Sequence, residues 1–97
     1  MKMVVEKGTG KNKKWKAIFS DDSGKKVKTT QFGDSRYSDY TLHKDKSRRK
    51  KYRVRHKKDL SKGTYQSPGF LSYYLLWGDS TSLTSNIKKY KKMFKLT

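Results

Sequence analysis

The chain of 97 residues contains no cysteine, one proline and one glutamate. Because cysteine is absent, neither disulfides nor thiolate metal sites can form, which fits a reducing compartment. The chain also lacks any run of about 18 apolar residues, so we expect no membrane span. The apolar stretch at residues 3–5 is too short to predict a signal peptide. Since no carboxylates are paired in an apolar setting, we expect no enzyme, no cofactor and no small-molecule substrate.

Large apolar residues are scarce as well, since Leu, Ile, Val and Phe together number 17 of 97. With 26 Lys+Arg against 8 Asp+Glu and a net charge of +18, such a composition is typical of disordered chains. Aromatic residues, including Trp15 and Trp77, favour a folded chain instead, because each buried ring removes a large apolar area from water. We therefore predict one small basic domain, residues 1–97, with a core built around a few aromatic rings.

The first third of the chain predicts antiparallel strands. Residues 1–32 divide into three short strands at two turn signals, the glycines at 8 and 10 and the run at 21–24. The middle strand alternates apolar with largely solvated positions: Trp15, Ala17 and Phe19 against Lys14, Lys16 and Ile18. We expect an α+β fold, with a small N-terminal β-hairpin or meander followed by about three short helices.

Three helices are predicted in the rest of the chain. A basic helix covers residues 45–58, where neither glycine nor proline interrupts, and Asp39 can cap a following helix. A second helix covers residues 68–77 and begins with Ser67 as N-cap and Pro68 at the first helical position. An amphipathic helix covers residues 82–95 and carries an apolar stripe of Leu83, Ile87, Tyr90 and Phe94.

The basic helix belongs to the densest run of charge, which we call the basic cluster. Its ten members are the candidate anion- or partner-binding residues Lys44, Lys46, Arg48, Arg49, Lys50, Lys51, Arg53, Arg55, Lys57 and Lys58. Such a cluster attracts polyanions because neutralised phosphates release their counterions, although a charge run is more often a solvated face or a localisation tract. The helix is polar almost all round, so it needs counter-charge from elsewhere. DNA, RNA, anionic lipid and an acidic protein face all satisfy these electrostatics.

The helix at residues 68–77, here called the apolar segment, is apolar on nearly every side. It must therefore be buried by its own chain or by a partner. Both readings stay open for the candidate docking or core residues Phe70, Leu71, Tyr74, Leu75 and Trp77.

Two further groups of side chains bear on binding. Aromatic residues near the charges could stack on single-stranded bases, although filling the core is the favoured role: Trp15, Tyr37, Tyr40, Tyr52 and Tyr65. No motif for sequence-specific RNA readout is present. His43 and His56 lack further ligands at helical spacing, so no metal site is expected.

An ordered series of residues resembles a family of small basic proteins of nucleocytoplasmic large (giant) DNA viruses over about residues 32–96. The series comprises Phe32-Gly33, Asp39-Tyr40-Thr41-Leu42-His43-Lys44-Asp45, Arg49, Tyr52, Arg55-His56-Lys57, Ser67-Pro68-Gly69, Leu71-Ser72, Leu75-Leu76-Trp77 and Ile87-Lys88-Lys89-Tyr90. Tyr73-Tyr74 departs from it, since a more basic pair is expected there. The family brings no active site with it. The resemblance implies a viral protein packaged in the particle and, during assembly, present in the host cytoplasm or viral factory.

Two functions fit these patterns. The first, slightly favoured, is a minor capsid protein that bridges or cements larger acidic shell proteins through its basic helix and the apolar segment. The second is a non-specific nucleic-acid-binding virion protein that condenses or packages viral DNA. The expected partners are accordingly other viral capsid proteins or viral DNA.

Overall fold

The computed structural model describes residues 1–97 and confirms the α+β class. Three antiparallel strands form a meander in the order β1-β2-β3: β1 Lys2–Lys7, β2 Lys13–Ser20 and β3 Lys26–Asp34. Four helices follow: α1 Tyr40–His43, α2 Lys46–His56, α3 Pro68–Leu71 and α4 Leu83–Met93. Two of them continue in another helical form: α2 in the 3₁₀ helix Lys57–Ser61, and α3 in the π-helical turn Ser72–Leu76.

One face of the sheet supplies part of the core. Its inward side chains are fully or nearly fully buried: Met3, Ala17, Phe19, Thr30 and Phe32. The alternation predicted for β2 is present, since Ala17 and Phe19 are 0% exposed, but its opposite face is not all solvated: the Lys14 side chain is only 14% exposed. On the outer face Val4 and Val27 stay 41% and 53% exposed. The helices therefore cover the sheet from one side only.

The apolar segment supplies a second part of the core: Leu71, Leu75, Leu76 and Trp77. It is helical as predicted, but α3 makes one turn before the backbone widens to π geometry, with the Trp77 amide donating to the Ser72 carbonyl at 3.1 Å. Pro68 lies in the first turn, whereas the Ser67 hydroxyl does not cap the helix and accepts from the Thr64 amide instead. In the wider turn, Leu75, Leu76 and Trp77 are all buried although they are consecutive.

Gly78 ends the segment for a steric reason. A Cβ at this position would lie 2.1 Å from the Tyr74 carbonyl oxygen, so only glycine fits. Glycine is therefore required here by close approach of the backbone and not by a left-handed conformation.

The amphipathic helix α4 closes the core. Ser82 caps it, its hydroxyl accepting from the Ser85 amide at 3.3 Å, and Tyr90 is 1% exposed with its hydroxyl on the Tyr65 carbonyl. Burial raises the pKa of Tyr90 above its usual value. Asn86, which the apolar stripe does not include, is 3% exposed and donates to the carbonyls of Leu75 and Ser80. These bonds hold α4 against the apolar segment.

None of the helices combines the length and the apolar character that crossing a membrane requires.

Candidate nucleic-acid interface around the basic helix

The start of α2 is fixed by its flanking residues. Asp45 is the N-cap, and its carboxylate accepts from the Ser47 and Arg48 amides at 2.9 and 3.2 Å. Before it, Lys44 adopts a left-handed φ of 58° that ends α1. The predicted basic helix at 45–58 is therefore present, with α2 ending at His56 and the 3₁₀ helix carrying on to Ser61.

Tyr52 attaches α2 to the body of the protein. The Tyr52 ring stacks on the Trp77 ring, with 4.2 Å between the centroids and only 6° between the ring planes. The His56 ring also stacks on the Tyr52 ring, with 4.2 Å between the centroids. The Tyr52 hydroxyl is half-buried with the ring, and burial raises its pKa to about 12. No residue of α2 is fully buried. The helix thus lies on the core without becoming part of it.

Two arginines of the basic cluster supply the rest of the attachment. The Arg53 guanidinium lies 4.1 Å from the Tyr73 ring centroid and donates to the Tyr73 and Trp77 carbonyls at 3.3 and 2.8 Å. Arg49 donates to the Gly78 carbonyl at 2.6 Å and to the Asp79 carboxylate at 2.9 Å. These carbonyls end a helix, where the partial charge is negative. The counter-charge that the sequence requires is therefore partly internal.

The other eight members of the basic cluster are exposed: Lys44, Lys46, Arg48, Lys50, Lys51, Arg55, Lys57 and Lys58. None of them forms an ion pair within the chain. The acidic side chains are all used elsewhere. Five pair with other cations, namely Glu6, Asp22, Asp34, Asp39 and Asp79, and the Asp59 carboxylate lies 3.0 Å from the His56 ring. Asp21 and Asp45 accept from backbone amides. The chain therefore leaves these eight positive charges without a partner of its own.

A groove of about 1130 Å³, here called the cationic groove, runs between α2 and the loop at residues 34–39. Arg48, Lys51 and Arg55 line its α2 wall, and Tyr37 lines the opposite wall. Tyr52 and Trp77 lie between them. The groove thus combines exposed positive charge with aromatic surface.

A buried ion pair holds the loop wall in place. The Lys14 ammonium lies 2.6 Å from the Asp39 carboxylate, and the two side chains are 14% and 3% exposed. Lys14 also donates to the Tyr37 carbonyl at 2.8 Å. Asp39 caps α1 as expected, since its other oxygen accepts from the Thr41 amide at 2.9 Å. One lysine of β2 therefore ties the loop and α1 to the sheet.

His43 lies beside the groove floor in its neutral form. Its Nδ1 accepts from the Asp45 amide at 2.9 Å, and its ring packs against Trp77. Burial, with the nearby Arg48 charge as the second cause, lowers the pKa of His43 below 6.5. Its Nε2 is buried without a partner. No group of three or more His, Asp or Glu side chains in the chain could hold a metal ion.

Four of the five candidate docking or core residues lie in or against this chain's own core, and Phe70 packs on the Tyr74 and Phe94 rings at its margin. Leu71 and Leu75 are 0% exposed and Trp77 is 8% exposed. Phe70 and Tyr74 are half-buried, and both rings pack against Phe94. The sheet and α4 therefore cover much of the apolar segment without a second molecule.

The aromatic residues near the charges differ in their exposure to solvent. Tyr40 is 5% exposed, and Trp15, Tyr52 and Tyr65 are half-buried, all four packed in or against the core. Only Tyr37 is left in solvent, 68% exposed. The sequence does not single out this tyrosine, because its exposure follows from the path of the 34–39 loop.

The chain matches the model of DUF5754, a family of unknown function, over residues 3–56. The chain belongs to this family. The DUF5754 region takes in the sheet, α1 and α2, and it supplies every lining residue of the cationic groove except Ser72, Leu76 and Trp77. No curated protein and no solved structure matches the chain.

Proposed function

We propose that this protein is a non-enzymatic nucleic-acid-binding protein that contacts the phosphate backbone, without sequence readout, through α2. The observation that carries the proposal is the set of eight exposed cations on and around α2 that have no acidic partner in the chain. Docking of α2 uses Arg49 and Arg53, whereas the side chains of these eight form no ion pair within the chain.

The energetics favour a polyanion as the partner. Like charges four residues apart on a helix cost a few tenths of a kcal/mol per pair, and nothing within the chain offsets that cost for the exposed members. A phosphate backbone relieves the repulsion and releases its own condensed counterions. The whole-chain charge of +18 adds long-range attraction. Affinity should therefore depend steeply on salt and little on base sequence.

A salt titration with matched variants tests the proposal. Affinity for a short duplex is measured by fluorescence anisotropy between about 50 and about 200 mM salt, a range over which phosphate-dominated binding weakens strongly. The α2 variant changes Lys46, Lys50, Lys57 and Lys58 to Gln. Its control changes four exposed lysines remote from α2, Lys7, Lys11, Lys25 and Lys26, to Gln and so removes the same charge.

The α2 variant should lower the slope of log affinity against log salt by about 3.6, since it removes four phosphate contacts that each contribute about 0.9. The remote variant should change it by less than about 1. Equal slopes for both variants would show that only net charge matters, and salt-insensitive binding by the unmodified protein would refute the proposal.

A structural role in a virus particle is the second candidate. The resemblance to giant-virus proteins supports it, and so does the outer face of the sheet, where the apolar side chains of Val4 and Val27 are exposed. In such a role the basic cluster would meet acidic shell proteins, and the sheet face would contribute apolar contact. Because Leu71, Leu75 and Trp77 are buried, that contact would not depend on the apolar segment.

Particles stripped of their DNA distinguish the two functions. Retention of the protein in empty shells, together with loss of incorporation for Val27→Asp, would support the structural role. Loss of the protein along with the genome would support nucleic-acid binding.

A further inference from the structure

We propose that the cationic groove binds a single-stranded segment of nucleic acid, with phosphates on Arg48, Lys51 and Arg55 and a base stacked on Tyr37. The inference rests on the proposed function and specifies the form of nucleic acid that this site prefers. Its basis is that one groove is lined both by a row of free cations on α2 and by an exposed aromatic ring on the 34–39 loop.

The row of cations has the spacing that a strand requires. Arg48, Lys51 and Arg55 are three and four residues apart, so they share one face of α2. At 1.5 Å per residue the row is about 10 Å long, which is the length of about three stacked nucleotides at 3.4 Å each. All three side chains are exposed, and none has an acidic partner. They are therefore available to successive phosphates.

The opposite wall holds Tyr37 by its backbone and leaves its ring free. The Tyr37 amide donates to the Asp34 carbonyl at 3.0 Å, and its carbonyl accepts from the buried Lys14 ammonium at 2.8 Å. The ring itself is 68% exposed, with the Arg36 guanidinium 5.8 Å from its centroid. A ring on a fixed backbone loses little freedom when a base stacks on it. Filling the core does not account for this tyrosine.

A second ring extends the aromatic surface of the groove. The stack formed by Trp77 and Tyr52 ends at His56, which lines the groove and whose side chain is 40% exposed. A base placed beyond His56 would prolong an existing column of rings. Stacking of this kind tolerates any base, because every base has a π face.

The shape of the site favours a single strand over a duplex. The groove is concave, and the bases of a single strand present the open faces that Tyr37 needs. In a duplex those faces are covered by neighbouring base pairs, and an α-helix instead enters the major groove as a convex element. The side of α2 turned away from the cationic groove carries Lys46 and Lys57, which line a different surface depression. Duplex DNA would meet that convex side.

Two matched triple variants test the phosphate contacts. One changes the groove residues Arg48, Lys51 and Arg55 to Gln, and the other changes Lys46, Lys57 and Lys58 to Gln, so both remove three charges from exposed positions. Binding is measured with oligo(dT), oligo(U) and a duplex of equal length. The groove variant should lower the single-strand salt slope by about 2, at about 0.7 per contact, and the other variant should lower it far less. For the duplex we expect the reverse order.

Tyr37 variants test the stacking contact. Tyr37→Ala should weaken single-strand binding by about 5- to 150-fold and leave duplex binding unchanged, whereas Tyr37→Phe should bind as the unmodified protein does. Since the Tyr37 ring lies outside the core, both variants should keep the native circular dichroism spectrum.

Equal effects of the two triple variants on single strands, or unchanged affinity in Tyr37→Ala, would overturn the inference while the proposed function stands. Failure of the unmodified protein to bind any of the three nucleic acids would instead refute the proposed function. A preference between oligo(dT) and oligo(U) would show whether the strand is DNA or RNA.

Discussion

The basic helix α2 and the apolar segment are opposites in composition, yet they are in direct contact. No residue of α2 is fully buried, whereas Leu71 and Leu75 in the apolar segment are 0% exposed. They meet through Arg49, Arg53 and Tyr52, which bind the carbonyl end and the Trp77 ring of the apolar segment. The apolar segment therefore stabilises the fold as part of the core, whereas α2 lies on the surface of that core.

This division separates stability from binding. Changes in the apolar segment should unfold the protein, changes at the three docking side chains should release α2, and changes at the eight exposed cations should affect only binding. Variants in each of these three sets of residues test the division between stability and binding.

Trp77→Ala should have the largest effect. Trp77 is 8% exposed and supports both Tyr52 and His43, so truncation leaves a cavity and removes the docking surface of α2. Truncation of a large buried aromatic residue costs about 3–5 kcal/mol, a large share of the stability of a small domain. Urea unfolding measures the loss. A loss below about 1 kcal/mol would mean that Trp77 is not part of a packed core.

Arg53→Gln should have an intermediate effect, and Arg55→Gln is its control two positions away. Arg53 donates to the Tyr73 and Trp77 carbonyls and lies over the Tyr73 ring, whereas Arg55 is exposed and has no such bonds. Loss of charged hydrogen bonds costs about 1.5–3 kcal/mol, while an exposed substitution changes stability by about 0.5 kcal/mol or less. Urea unfolding of the two variants, which carry the same charge, measures the difference. Equal stability of the two would contradict the docking role of Arg53.

The sequence predicted the elements whose cause is local. Alternation in β2, the turn at 21–24, the Asp39 cap and the stripe of α4 all depend on neighbours within a few residues, and all are present. The stacking of Tyr52 on His56 likewise follows from their spacing of four residues on one helix face.

Features that depend on distant partners were not predictable. The sequence does not distinguish Arg53 from Arg55, since only the position of the apolar segment makes one a docking residue. The cationic groove exists because Lys14 pairs with Asp39, 25 residues away, and thereby places the loop that carries Tyr37. Asn86 is buried because it reaches the Leu75 carbonyl, 11 residues earlier in the chain. Composition and periodicity contain no information about such pairings.

The smallest expected effect is a dependence of stability on pH that is caused by His43, which lies where α2 joins the rest of the protein. Its Nδ1 accepts from the Asp45 amide, so a proton on that nitrogen would replace the acceptor with a donor and add charge near Arg48. Burial already lowers the pKa of His43 below 6.5 in the folded state, so the unfolded chain binds the proton more readily. Stability should therefore be lost as pH falls from above the unfolded pKa toward the lower folded pKa.

Urea unfolding at about pH 7.5 and about pH 5.5, on either side of the usual histidine pKa, measures that loss. In His43→Gln, which cannot titrate there, the decrease in unfolding free energy between the two pH values should be smaller than in the unmodified protein. The same decrease in both proteins would mean that His43 is not the group responsible. His43→Gln should also bind nucleic acid at pH 7.5 as the unmodified protein does. A smaller decrease in unfolding free energy together with unchanged affinity would show that His43 contributes to stability and not to binding, as the apolar segment does.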